Sequence, residues 1–544
     1  MRIQDHRVVA LTVLITFASS PLAAQIPLQA APPPTLIAQG APLATALPDS
    51  PPPAQTTPLP TPPPPAPSPP SDSAPPAPTV QVTSLAQLDL FSSGRDLELG
   101  ADLWKGSSAE IARAVIPTLG RGPLSPAAAS LAQRLLAQAA RAPDGAGGDV
   151  DLAADRVRAL LALGDATTVD AIADRTAGLA DKPGLAQTAA EAALITDQNA
   201  KACALGDALA VDRDKIYWLR LRAFCQALAG KADAAQLTFT LANQEGKDAV
   251  YARLMGSFIA GVGDPGAPAL RNGLDYALSR QLKLDLEAAL PQASPALAAR
   301  LAVSIPPPPP PPPAAAAGSI PPPAAGSEAD LMAVLRKADT LAQYMAASKS
   351  VAPNIAILAR DKIALANPVQ LAAAAVAAGD PATALLIRGA LTQDVTPGAS
   401  STDLAILDAM LAVAQGKPDA PTLDRLAERG ALAAGKEKAR AQAAAALFAA
   451  LGGPIAPAAR GEMVDFDLGR AEAWPARLMV MDASADAGLR GETGLLALSI
   501  AELGGASGSR PADRAAIVRA LTRAGLAADA RAFALEGLIA LQSR

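Results

Sequence analysis

Eight consecutive prolines, Pro306 to Pro313, interrupt this chain and fix its organisation. Proline has no backbone N–H and holds φ at about −65°, so such a run joins neither a helix interior nor a sheet. Together with Pro321 to Pro323 it marks a polyproline linker over 305–326. A Pro/Ala-rich stretch over 25–83, with Pro62 to Pro65 inside it, has the same character. Both are expected to be disordered linkers with polyproline II character, without the apolar periodicity of a core. The 544-residue chain is thereby divided into two blocks, 84–304 and 327–544, each long enough to bury a core. The 305–326 linker is expected to leave them few shared contacts, and therefore two unfolding transitions.

Both blocks read as helical. Alanine makes up about a quarter of the residues, far above ordinary usage, and has the best helix propensity. Aromatics are only 3%, so a core of Ala and Leu must come from many helices packed closely. Helix starts are legible at Ser107-x-x-Glu110, at Ser125-Pro126, and at Ser327 with Asp330 before ADLMAVLRKADTLAQYMAA, by capping-box and first-turn proline rules. Alternating Val, Ile and Thr runs between Asn-Gly turns are missing, and the fold class is all-α.

The N-terminus points to export. Arg2 and Arg7 flank an apolar run, Val8 to Ala18, too short to span a bilayer, and Pro21 precedes Ala23-Ala24. Residues 1–24 read as a signal peptide cleaved after Ala24, the alternative being an uncleaved anchor from Val8 to Ala24. No later stretch of eighteen uninterrupted apolar residues occurs, so no membrane span is expected in the mature chain. In a bacterium such a chain is periplasmic. The single histidine, His6, would leave with the signal. That removes His-based nucleophile triads and His-ligated zinc, and no catalytic, cofactor-binding or metal-binding residue is assigned. A net charge of −5 without a basic stripe disfavours nucleic acid. Cys203 and Cys225, the only cysteines, favour a disulfide in an oxidising compartment over two buried thiols. They fall on helices expected at about 198–209 and 212–229. A short turn near Val211-Asp212 would leave them out of level, so a bond needs a longer loop or a tilted crossing.

Turn marks recur at near-constant intervals. Gly164-Asp165, Thr196-Asp197, Gly230-Lys231 and Gly263-Asp264 are spaced by 33, and Gly379, Gly416, Gly452, Gly488 and Gly525 by 36 or 37. Such periods suit two-helix solenoid repeats, in which each hairpin buries its apolar face only by stacking on its neighbours. Over 215–243, Trp218-x-x-Leu221, Gly230, Ala235, Phe239 and Ala242 resemble the tetratricopeptide repeat, with one residue inserted between the halves and Arg222 and Cys225 in place of its first-helix Gly and Tyr. The resemblance implies two α-solenoid blocks of TPR-like hairpins and, by analogy, binding of protein or peptide in a concave groove.

Residues 217, 221, 224 and 228 share one helical face and read as core. Trp218, Arg220 and Arg222 are the candidate partner-binding residues, the arginines facing an acidic partner or, more ordinarily, solvent. Glu462, Asp465 and Asp467 are close enough in sequence to suggest oxygen ligands, but they lack the glycine and further ligands of a calcium loop and read as a solvated loop. GAGGDV at 145–150 has neither a preceding strand nor a Lys-Ser/Thr and reads as a linker between helices. The favoured reading is a non-enzymatic periplasmic helical-repeat scaffold that binds an envelope protein or peptide. An envelope-spanning tether with a retained anchor and an accessory protein of cell-wall metabolism are the alternatives.

Overall fold

The computed structural model describes residues 89–304, 327–391 and 398–542, all within one compact unit, Val82–Arg544. The expected signal peptide 1–24 and the linkers 25–83 and 305–326 lie outside the described residues. Within them every regular element is helical. β-type pairing among the described residues is limited to two isolated bridges, Arg95 with Gln138 and Ser108 with Asp144.

All nine turn marks fall between helices, and each carries a residue of positive φ: Gly164, Asp197, Gly230, Gly263, Gly379, Gly416, Gly452, Gly488 and Gly525. In seven of them the next residue donates its N–H to the carbonyl five positions back, as Asp165 does to Leu160 at 3.0 Å and Leu526 to Leu521 at 2.8 Å. This Schellman closure satisfies the last carbonyls of one helix and reverses the chain. The following helix then starts at once. Asp165 accepts from the Thr168 N–H at 3.0 Å, and Asp380 from the Thr383 N–H at 3.0 Å, each serving as N-cap directly after its turn glycine. The same closure occurs at Lys283 (φ 55°) and Lys362 (φ 52°), where no glycine marks it.

One expected helix start is corrected, and one expected helix is divided in two. The first helix, Ala109–Val115, is capped by Ser108 rather than Ser107, because the Ser108 N–H is held at 2.7 Å by the Glu492 carboxylate. The segment after Ser327 is two helices, Glu328–Arg336 and Leu341–Arg360, not one. Thr340 and Gln343 form a capping box between them and start the second helix afresh.

The blocks on either side of the 305–326 linker share one core, in place of the few contacts expected. Trp104, Leu131, Leu135 and Leu160 belong to the same buried cluster as Val369, Leu407, Leu498, Ile517 and Phe533. Helices Ala109–Val115 and Pro126–Ala137 pack on Arg490–Gly504, and Pro126–Ala137 also packs on Ala527–Gln542. Small residues permit the approach: a Cβ on Gly491 would stand 2.4 Å from the Trp104 ring, and one on Gly494 2.6 Å from the Leu135 side chain. Polar contacts complete the joint. Glu536 accepts from the Ala127 N–H at 2.7 Å, Glu502 from the Thr118 hydroxyl at 2.9 Å, and Arg134 pairs with Asp529 at 2.5 Å.

A second core lies within 183–282. Helix Gly273–Gln281 returns to pack on Pro183–Ile195, enclosing Leu194, Trp218, Leu221, Phe224, Tyr251 and Leu254. Pro183–Ile195 serves both cores, placing Leu185, Ala192 and Ile195 in the first and Ala186, Ala190 and Leu194 in the second. Opposite Pro126–Ala137, Arg156 is fully buried and donates to the carbonyls of Leu136 (2.7 Å), Gln138 (3.0 Å) and Phe91 (3.1 Å). Burial pulls its guanidinium down to about 10.

Two outcomes follow. At Gly525, φ is 79° and a Cβ would meet nothing within 4 Å, so Gly525→Ala should cost about 1 kcal/mol from the backbone alone, while Lys362→Gly should gain about 0.5 kcal/mol. Denaturant unfolding measures both. Residues 109–162 and 475–542 should unfold together in one calorimetric transition, and two separated transitions would contradict the shared core.

Candidate functional site

Helix Ile216–Leu228 buries Trp218, Leu219, Leu221, Ala223 and Phe224. Of the expected core face 217, 221, 224 and 228, Leu221 and Phe224 are buried, Tyr217 is half-buried against the core and Leu228 is exposed, while Trp218, Leu219 and Ala223 widen the buried face. Cys203 on Asn199–Ala208 and Cys225 form a disulfide with Cα atoms 5.6 Å apart. The short turn expected at Val211-Asp212 is instead a loop over 209–215, with Asp212 at φ 55°, and this extra chain lets the two cysteines meet. Closing a loop of sequence separation 22 stabilises the fold by about 3 kcal/mol on the chain-entropy account.

Beside this helix lies a cavity of about 390 Å³, lined by Gln187, Glu191, Ile216, Tyr217, Arg220, Asp248, Tyr251, Asn272, Leu274 and Asp275. Four helices supply its walls. Asp248 caps Ala249–Ala260 by accepting from the Val250 and Tyr251 N–H groups at 3.0 and 3.2 Å. Asn272 caps Gly273–Gln281 by accepting from the Asp275 N–H at 2.8 Å. Glu191 projects from Pro183–Ile195 and accepts from the Gly273 N–H at 2.6 Å. Gly273 allows that approach, since a Cβ there would stand 2.7 Å from the Glu191 carbonyl oxygen.

The charges are unevenly matched. Arg220 donates to the Gly246 carbonyl at 3.1 Å, lies over the Tyr251 ring at 5.1 Å and pairs with Asp248. Arg271 pairs with Asp248 at 3.1 Å and with Asp275 at 2.6 Å. Burial pushes the Asp248 carboxyl up, but the Tyr251 N–H, Arg271 and Arg220 outweigh it and hold it below the usual range. Asp275 is raised, chiefly by burial. Glu191 has no cation against it, and burial, with a small push from Asp275, raises it to about 7 despite the Gly273 N–H and the Tyr217 hydroxyl. The buried Tyr217 hydroxyl stands against that carboxylate, and burial together with the carboxylate's charge raises it well above its usual value.

Of the candidate partner-binding residues, only Arg220 reaches this cavity. Trp218 is 3% exposed, inside the second core and edge-on to Tyr217 at 5.1 Å. Arg222 donates to the Arg213 carbonyl at 3.1 Å. In the acidic segment Asp467 accepts from the Gly469 N–H at 2.8 Å, and Glu472 beyond it pairs with Arg510 at 2.7 Å. Among the described residues no group of three or more His, Cys, Asp or Glu side chains could hold a metal ion. In the 145–150 segment Asp149 caps helix Val150–Ala162. Glu191, Asp248 and Asp275 escaped sequence reading because about 84 residues of chain separate the first from the last. The available signal was a lone carboxylate in an otherwise uncharged helix, PGLAQTAAEAALI.

No family model matches the chain, and no curated protein or solved structure matches it.

The folded state binds a proton on Glu191 more tightly than the unfolded chain does, with values of about 7 against 4.5. The stability from this group is fully present below pH 4.5 and is lost as pH rises through about 7. Glu191→Gln, which keeps an acceptor for the Gly273 N–H, should remove a decline of a few kcal/mol over that window. Urea unfolding at a series of pH values measures it.

Proposed function

We propose that this protein is a non-enzymatic scaffold of the bacterial periplasm, a TPR-like array of helical hairpins that binds another envelope protein or peptide. The observation that carries the reading is two series of left-handed turns, four at intervals of 33 residues from Gly164 to Gly263 and five at intervals of 36 or 37 from Gly379 to Gly525, each turn joining two helices. Such an array presents long helical faces whose surface residues are free to vary without loss of the fold. The contacts of Gly273–Gln281 with Pro183–Ile195, and of Ala527–Gln542 with Ser401–Ala414, close the stack on itself. Recognition on this reading lies in clefts between hairpins rather than along one open concave groove. The Cys203–Cys225 bond supports an oxidising compartment. No described helix is long and apolar enough to cross a membrane.

Crosslinking in intact cells followed by affinity capture of the tagged full chain should recover a reproducible envelope partner, and the mature N-terminus read by mass spectrometry should be Gln25. Failure to recover any reproducible partner removes the support for a scaffold. An N-terminus at Met1 favours the tether with a retained anchor.

A further inference from the structure

We propose that the cavity between helices Pro183–Ile195, Ile216–Leu228, Ala249–Ala260 and Gly273–Gln281 is a binding site for a primary ammonium group, with Glu191 as its counter-ion. Three observations carry the assignment. The first is the imbalance of charge: Arg220 and Arg271 engage Asp248 and Asp275, while Glu191 faces the cavity with no cation of its own. An uncompensated carboxylate out of water is costly, and a cationic ligand offsets that cost.

The second is the state of the carboxylate itself. One oxygen, Oε2, is taken by the Gly273 N–H at 2.6 Å. A guanidinium needs both oxygens for its planar fork, whereas an ammonium is a point charge with three rotatable donors and can use one. The buried Tyr217 hydroxyl beside Glu191 and the Asn272 amide add oxygen acceptors to the lining. The third is the apolar part of the wall. Ile216 and Leu274 line the same cavity and suit the aliphatic stem that carries such a group in a lysine side chain or an alkyl diamine. The volume of about 390 Å³ is ample for either.

Binding is coupled to protons through Glu191. Tyr217 and Asp275 act on it directly; Arg220, Asp248 and Tyr251 share the cavity lining, and Arg271 pairs with Asp248 and Asp275 beside it. Their mutual pairing leaves Glu191 as the group that changes charge near neutrality. A bound ammonium holds it ionised, so binding releases a proton below pH 7 and strengthens as pH rises.

Calorimetry on the full mature chain tests this with three probes: the peptide acetyl-Ala-Ala-Lys-Ala-Ala-amide, the same peptide with its lysine acetylated, and diaminopentane. Affinity for the unmodified amines should rise about tenfold from pH 6 to pH 8. Near pH 6 a large part of one proton should be released per amine bound, read from buffers of different ionisation heat. The acetylated peptide should not bind. Glu191→Gln should weaken binding at least tenfold and abolish the proton release, and Glu191→Asp should keep it. If the Gln variant fails to fold, the acetylated peptide and the pH series decide on the wild-type chain alone. Equal binding of the acetylated peptide, binding without proton release, unchanged binding by folded Glu191→Gln, or no binding of either amine would each overturn the proposal. Tighter binding of the lysine peptide than of diaminopentane assigns the group to a partner's side chain, and the reverse assigns it to a free amine. Both uphold the site. The inference does not rest on the scaffold reading: amine binding without any crosslinked partner would sink the scaffold and leave the cavity standing.

Discussion

Glu492 and Glu536 join the two ends of this fold across 384 and 409 residues of sequence. Each lies on a helix near the C-terminus and accepts, at 2.7 Å, a backbone N–H at the start of a helix near the N-terminus: Ser108 for one, Ala127 for the other. The first N–H groups of a helix have no partner within it and carry its positive dipole end, so a carboxylate there satisfies both hydrogen bonding and charge. Ser125, the N-cap of Pro126–Ala137, makes no side-chain cap of its own. Burial raises the Glu536 carboxyl while Arg514, 3.3 Å away and equally buried, opposes the shift. The joint is therefore specific. Loss of either carboxylate would strand a helix end in a core that also contains Trp104 and Leu135.

The alanine content explains why such joints are needed. A methyl side chain buries little area, so stability must come from many helices at short distance, and glycines at 491, 494 and 273 are among the positions where a Cβ would clash with the neighbouring element. The Schellman turns serve the same end by reversing the chain within two or three residues. Asp197 shows that such a turn need not be glycine when the side chain is occupied. Its carboxylate accepts from the Tyr276 hydroxyl at 3.0 Å and pairs with Arg280 and Arg300, tying the turn to helix Gly273–Gln281 and to the helix beyond it.

The second core gives the candidate site its chemistry. The disulfide and the return of Gly273–Gln281 onto Pro183–Ile195 bring four helix walls around one cavity, and three acidic side chains around two arginines. The odd carboxylate, Glu191, is the feature with no structural necessity. A neutral glutamine would accept the Gly273 N–H as well, which is why its charge is better understood through a ligand than through the fold.

Much of the architecture was written in local sequence. The alanine content, the turn marks, the first-turn proline at Pro126 and the cap at Ser327 determine helices and hairpins, because helix propensity, left-handed closures and N-caps act over a few residues. Cys203 and Cys225 were likewise legible as a pair. Three things were decided only in three dimensions. Ser108 replaces Ser107 as a cap because Glu492, 384 residues away, binds its N–H. The 305–326 linker separates two blocks in sequence but not in space, because the apolar faces of Pro126–Ala137 and Ala527–Gln542 complete each other. Arg220 belongs to a cavity while Arg222 and Trp218 do not, because helix rotation is set by the neighbours it packs against and not by its own order of residues.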